Sequence, residues 1–85
     1  MLKPGDMALV RALNPIWVYR GLYERGGFEG MPTQYMPNQS QVVLVLATYM
    51  QFKDQVPYVL VLFPESSGLG HRWTYDDMLT RVKAC

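Results

Sequence analysis

Two stretches in the second half of the chain constrain its fold more than any other feature: QVVLVLATYM at Gln41–Met50 and VPYVLVLF at Val56–Phe63. Both are rich in β-branched and aromatic residues, the types that fit a pleated, half-buried surface. The polar QFKDQ (Gln51–Gln55) between them supplies a turn, so the pair predicts an antiparallel hairpin. Val42, Leu44 and Leu46 fall on one face of the first strand and Val43, Val45 and Ala47 on the other. In the second strand Tyr58, Leu60 and Leu62 oppose Val59, Val61 and Phe63. A strand with one solvated face alternates apolar with polar. Here neither phase is polar, so the outer face of the hairpin is expected to be covered, by the rest of the chain or by a partner.

The remaining segments read as short strands between turns. KPGD (Lys3–Asp6) is a turn signal and MALVRAL (Met7–Leu13) a strand. Asn14-Pro15 ends it, because proline donates no ladder hydrogen bond and restricts the residue before it. IWVYRG (Ile16–Gly21) is a further short strand, and Gly21–Ser40, punctuated by Gly26-Gly27, Gly30, Pro32 and Pro37, reads as a long aromatic loop. PESSGLG (Pro64–Gly70) is a loop, HRWTY (His71–Tyr75) a strand and TRVK (Thr80–Lys83) a closing strand. No sustained 3.6-residue period is present. Short strands with Gly/Pro turns predict an all-β fold, a small five-stranded barrel whose closure hides its hydrophobic edges.

Eighty-five residues make one domain, 1–85, which buries about 60–65% of the surface of its unfolded chain. Nearly half of the residues are hydrophobic and 13% aromatic, a composition that fills such a core. Eight Lys/Arg face seven Asp/Glu, and most of the basic residues have an acidic neighbour within four positions. This disfavours duplex nucleic acid, whose ligands cluster Lys and Arg. The single cysteine, Cys85, forms no internal disulfide, and the opening MLKPGDMALV lacks the apolar run of a signal peptide. A soluble, cytoplasmic protein is the expectation.

The one stretch that invites a catalytic reading is GLGHRWTYDDMLTRV (Gly68–Val82), which holds the only histidine. His71 would be a base, Asp76 or Asp77 its partner, and Ser66, Ser67 or Cys85 a nucleophile. The spacing opposes this, since His71 and Asp76 start on opposite faces of a strand, and no second histidine or Gly-x-Ser-x-Gly motif exists. One His, one Cys and scattered carboxylates lack the ligand spacing of a zinc site. The stretch reads better as architecture: a strand with Trp73 and Tyr75 on one face, a single turn begun by Thr74-x-x-Asp77, and a last strand. Trp73, Tyr75, Leu79 and Val82 are then core candidates, and His71 is an edge residue. Neither a cofactor nor a metal is expected, and the chain is read as no enzyme.

The head KPGDMALVRALNPIW and the tail YVLVLFPESSGLGHRWTYDDMLTRV carry a resemblance. A Lys-Pro-Gly-Asp turn before a strand, and Trp-x-Tyr-x-x-x-x-Leu-x-x-Val at the end, resemble SH3-like barrels. The likeness is closest to the mind-bomb type and to small bacterial and phage proteins on that pattern, for which the cytoplasm would be that of a host. The resemblance implies a 3₁₀ turn before the closing strand, with that strand near the first. The Gly21–Ser40 segment departs from it, being longer and more aromatic, and the tail loop lacks the acidic-Gly turn.

The resemblance implies a binding module, and fold alone does not choose its ligand. The expected function is noncatalytic protein interaction, as an adaptor or inhibitor. The candidate surface is Trp17, Tyr19, Arg20, Tyr23, Arg25, Phe28, Met31, Tyr35 and Met36, of the types enriched at interfaces. Some of these are expected to be structural, Trp17 and Tyr19 foremost as core members. Self-association through the 42–63 hairpin is a variant of this reading. The alternative is a KOW-like barrel that binds RNA or single-stranded DNA, with Arg11, Arg20, Arg25, Arg72, Arg81 and Lys83 converging beside stacking aromatics. No membrane partner is expected.

Overall fold

A computed structural model describes residues 1–23, 27–50 and 56–82. The long hairpin is its centre. Strand β6 spans Gln41–Met50 and β7 spans Pro57–Leu62, paired antiparallel from Leu44↔Leu62 to Met50↔Pro57. The turn assigned to Gln51–Gln55 lies outside the described residues. Before β6 come β1 (Met7–Val10), β2 (Ile16–Val18), β3 (Gly21–Leu22), β4 (Phe28–Glu29) and β5 (Thr33–Tyr35); after β7 come β8 (His71–Tyr75) and β9 (Thr80–Arg81). Strands β8-β7-β6-β1-β9 form one antiparallel sheet, and β2/β5 and β3/β4 form two two-stranded ribbons.

The fold is all-β, as the sequence predicts, but the sheet does not close into a barrel. Its edges are β8 and β9, and no pairing joins them among the described residues. Among the described residues, the free backbone edge of β8 pairs with one residue of the β2 side, Tyr19, through paired bonds with Trp73 of 2.8 and 2.7 Å. Closure fails because β1 ends at Val10. The chain leaves the sheet through Leu13, with φ +59, and Asn14-Pro15, and β2 then pairs with β5. The long loop expected at Gly21–Ser40 is corrected too, since the segment contains the short strands β3, β4 and β5.

One face of the large sheet makes the core. Ala8 and Val10, Val43 and Val45, Val59 and Val61 point inward beneath Ile16 and Val18 of β2, with Leu2, Phe63 and Leu79 sealing the margins. Each such aliphatic side chain contributes about 1.5–3 kcal/mol on full burial. A β-bulge at Leu46 shifts the register between Val45 and Ala47 and ends the strict alternation read from the sequence.

The termini of the sheet are pinned by polar contacts. In the Lys3–Asp6 turn, Gly5 takes φ +92, a conformation that favours glycine, and its N–H bonds the carbonyl of Val45 at 2.8 Å. The Asp6 carboxylate accepts from the Lys3 N–H at 2.9 Å and pairs with Arg81 of β9 at 3.3 Å. After β8 a 3₁₀ turn spans Asp76–Met78, as expected, and Asp76 accepts the N–H of buried Leu2.

Three expectations for the tail are corrected. Thr74 does not begin the turn; its hydroxyl donates to the Trp17 carbonyl at 3.0 Å, and Tyr75 precedes the turn in extended conformation. Thr74, rather than Trp73 or Tyr75, is the buried residue of β8, and Val82 is exposed. The strand alternates as its parity predicts, but with the face of Thr74 turned inward. Trp17 is also no core member, because Ile16 and Val18 take the inward positions of β2 and leave it 48% exposed.

Candidate functional site

The outer face of the large sheet divides into an aromatic half and an aliphatic half. Tyr49, Tyr58 and Tyr75 lie side by side across β6, β7 and β8, a row set by the register Tyr49↔Tyr58↔Tyr75. Phe28 of β4 descends on this row. Its ring meets Tyr58 edge-on at 5.2 Å and Tyr75 edge-on at 4.8 Å, while Tyr19 stacks on its other side at 3.8 Å, nearly parallel. The two edge-to-face contacts suit the ring quadrupoles. Tyr58, outward by parity, is thereby buried. Of the two covers expected for the hairpin, the rest of the chain or a partner, the chain itself supplies one over the aromatic half, with Phe28 as its anchor.

Beside this cluster lies an open cleft of about 240 Å³, lined by Leu22, Tyr23, Tyr49 and Trp73. Its lining is mainly apolar, and two tyrosines and a tryptophan among its four residues combine a large apolar ring with one polar group each. Leu22 and Tyr23 come from β3 and the residue after it, Tyr49 from β6 and Trp73 from β8. Sequences far apart are thus brought to one site by the Tyr19–Trp73 bridge. Tyr49 and Trp73 were missing from the expected surface. Both were placed by the sequence in regular strands, and the signal that finds them is their outward parity next to Tyr58.

The expected surface residues do not form a single patch. Tyr23 lines the cleft and is 54% exposed; Tyr19 and Phe28 are half-buried and form its support. Trp17 projects from β2 opposite Ile16 and Val18. Met31 and Met36 are exposed, at 86% and 53%. Tyr35 serves the fold: its ring packs edge-on against Phe63 at 5.1 Å and its hydroxyl donates to the Gln41 side chain. Burial pushes the Tyr35 phenol above its ordinary range, partly offset by Gln41. Arg25 lies outside the described residues.

Of the basic residues, the structure brings together Arg20 and Arg72. They line a second cleft, of about 370 Å³, with Leu69, Gly70 and His71. Arg81 is held by Asp6 at the far edge of the sheet, and Lys83 lies outside the described residues, as does Cys85. Among the described residues, no group of three His, Cys, Asp or Glu side chains is placed to hold a metal ion, and no helix is long and apolar enough to cross a membrane.

No family model matches the chain, and no curated protein or solved structure matches it.

Proposed function

We propose that this protein is a noncatalytic interaction module that binds a protein partner through the aromatic cleft of Leu22, Tyr23, Tyr49 and Trp73. The observation that carries the reading is the cleft itself: open, walled by three aromatic rings and one leucine, beside the stacked rings of Tyr19 and Phe28. Aromatic side chains gathered in an accessible cleft are among those that dominate binding energy at interfaces. An SH3-like relationship is supported by the strand order β8-β7-β6-β1-β9, by the long excursion between β1 and β6, and by the 3₁₀ turn before β9. The test is affinity capture with wild type beside Tyr23→Ala and Met31→Ala, both exposed positions. Tyr23→Ala loses the partner that wild type and Met31→Ala retain. Retention of every partner by Tyr23→Ala overturns the reading.

The aliphatic half of the outer face supports a second surface, for self-association. Met7, Val42, Leu46, Leu62 and Val82 are exposed there, with Leu9, Leu44 and Leu60 half-buried between them. From β1 to β7 this face carries no charged side chain, which selects against a polar partner. A two-fold axis over β6 sets the same aliphatic set against itself. Sedimentation at tens of micromolar is expected to show a dimer that Leu62→Lys abolishes; a wild-type monomer at that concentration removes the self-association reading.

A further inference from the structure

The Tyr19–Trp73 bridge gathers two arginines at the open edge of the large sheet. Because Tyr19 and Trp73 pair antiparallel, the next residues along each chain, Arg20 and Arg72, stand opposite each other. Arg72 is paired with core Val61 and Trp73 with Leu60, so Arg72 leaves β8 on the core side, away from Trp73. Arg20 and Arg72 line one cleft of about 370 Å³ with Leu69, Gly70 and His71. Like charges directly across an antiparallel pair are unfavourable, and here nothing neutralises them. The lining holds no carboxylate, and among the described residues the one ion pair is Arg81–Asp6, at the opposite edge of the sheet. Glu29 packs instead over Gly21. Arg72 is half-buried, and its Nε donates to the Leu69 carbonyl at 2.9 Å, which fixes the guanidinium and leaves its terminal N–H donors. Leu69 packs against the core, so one wall of the cleft is apolar and strengthens charge interactions beside it. A backbone donor is added by the alternation of ladder bonds. Both polar groups of Trp73 bond Tyr19, so those of Arg72 bond β7 and the N–H of His71 turns to the Arg20 side.

We propose that this cleft binds a phosphomonoester, held between Arg20 and Arg72. The charge count selects that chemistry. Two guanidinium groups without a carboxylate are neutralised by one group of nearly two negative charges, which a phosphomonoester carries near neutral pH. A carboxylate or a phosphodiester supplies only one. Geometry favours the same ligand. The two forks approach from different strands, and the tetrahedral oxygens of a phosphate can engage both, whereas a planar carboxylate matches one fork. A nucleic-acid strand needs a long basic stripe, but the whole chain carries a net charge of +1 and Arg81 is committed to Asp6. The site does not depend on the aromatic cleft, which lies on the side of β8 that carries Trp73. A phosphorylated peptide side chain and a free phosphate share the required chemistry.

The test is titration of the intact protein followed by heteronuclear NMR, at about pH 7.5 where a monoester is largely a dianion. The signals read are the His71 amide and the Arg72 Nε–H. The probes are a capped Gly-phosphoserine-Gly peptide, inorganic phosphate, a capped Gly-Glu-Gly peptide and dimethyl phosphate, at matched ionic strength. Both phosphate dianions are expected to shift the two signals saturably, and about tenfold more tightly than the glutamyl peptide or the diester. Tighter binding of the phosphoserine peptide than of inorganic phosphate assigns the site to a phosphorylated partner; equal binding assigns it to a free phosphate. Arg20→Gln, at an exposed position, is expected to weaken both dianions about tenfold. Arg11→Gln, an equal charge change at another exposed position, and Tyr23→Ala leave them unchanged. Because Arg20→Gln also removes the repulsion with Arg72, the unliganded variant should melt no lower than wild type. Absence of a saturable shift overturns the proposal, as does equal affinity for the glutamyl peptide or the diester. Binding that survives Arg20→Gln, or that Arg11→Gln weakens as much, overturns it as well. A lower melting temperature for Arg20→Gln would make Arg20 a support of the fold and remove it from the site.

Discussion

Thr74 is the one polar side chain buried among the described residues, and its hydroxyl reaches the Trp17 carbonyl at 3.0 Å. It joins the large sheet to β2 beside the Tyr19–Trp73 bridge. A fully buried carbonyl deprived of its donor costs about 1–3 kcal/mol, and this part-buried one sets the lower end of that range. Thr74→Val keeps the shape and deletes the donor, so urea unfolding is expected to show a loss of that size. Thr74→Ser keeps the donor, lacks one methyl group, and should cost about 1 kcal/mol. Equal stability of wild type and the valine variant would mean that the hydroxyl bond does not help to hold β2. Thr74 was illegible in HRWTY because two aromatics flank it, and hydrophobicity alone assigns the inward face to the larger residues. At an edge strand with cover on both sides, the aromatics took the outer row and the small residue the core. The same logic explains Trp17, which yielded the inward positions to Ile16 and Val18.

The elements most legible in the sequence were those specified by composition over a long run. Gln41–Met50 is a strand over its full predicted length, and His71–Tyr75 matches as well. What the sequence did not disclose was β3, β4 and β5, each of two or three residues. Ribbons so short have too few residues for a period, and they are held by tertiary contacts rather than by propensity. Phe28 is that contact for β3/β4, with three ring neighbours in Tyr19, Tyr58 and Tyr75. Phe28→Ala is therefore expected to uncover Tyr58 and to destabilise the protein by about 2–3 kcal/mol, less than for a fully buried phenylalanine. Because the ribbon carries Leu22 and Tyr23, the same change should weaken partner binding by more than its effect on stability accounts for, as titration well below the unfolding temperature would show. Of the four residues lining the cleft the sequence singles out only Tyr23, which stands in an irregular segment, whereas Tyr49 and Trp73 are hidden inside regular strands and Leu22 is not aromatic.

At the scale of the molecule, a sheet with inward valines supports an excursion from Arg11 to Ser40 that is tied at its base and at its middle. Ala12 N–H bonds the Ser40 hydroxyl at 3.0 Å and Leu13 N–H the Pro37 carbonyl at 2.9 Å; further out, the Tyr19–Trp73 bridge and the Phe28 stack are the attachments. β2 contributes Ile16 and Val18 to the core, whereas β3/β4 contributes none of the core residues. The free energy of opening should therefore fall along the excursion, because local stability follows buried contact. Hydrogen exchange tests this at three kinds of amide. The Val45 N–H, bonded to Asp6 inside the large sheet, is expected to exchange only with global unfolding. The Tyr23 N–H, bonded to Gly27 at 3.1 Å, should exchange through local opening of the β3/β4 ribbon. Tyr19 and Trp73, bonded to each other, should lie between these limits. Phe28→Ala should bring the Tyr19 and Trp73 amides toward Tyr23 and lower Val45 only by the loss of global stability. Equal protection at Tyr23 and Val45 would mean that the ribbon unfolds with the sheet as one unit, and that the cleft is as rigid as the core beneath it.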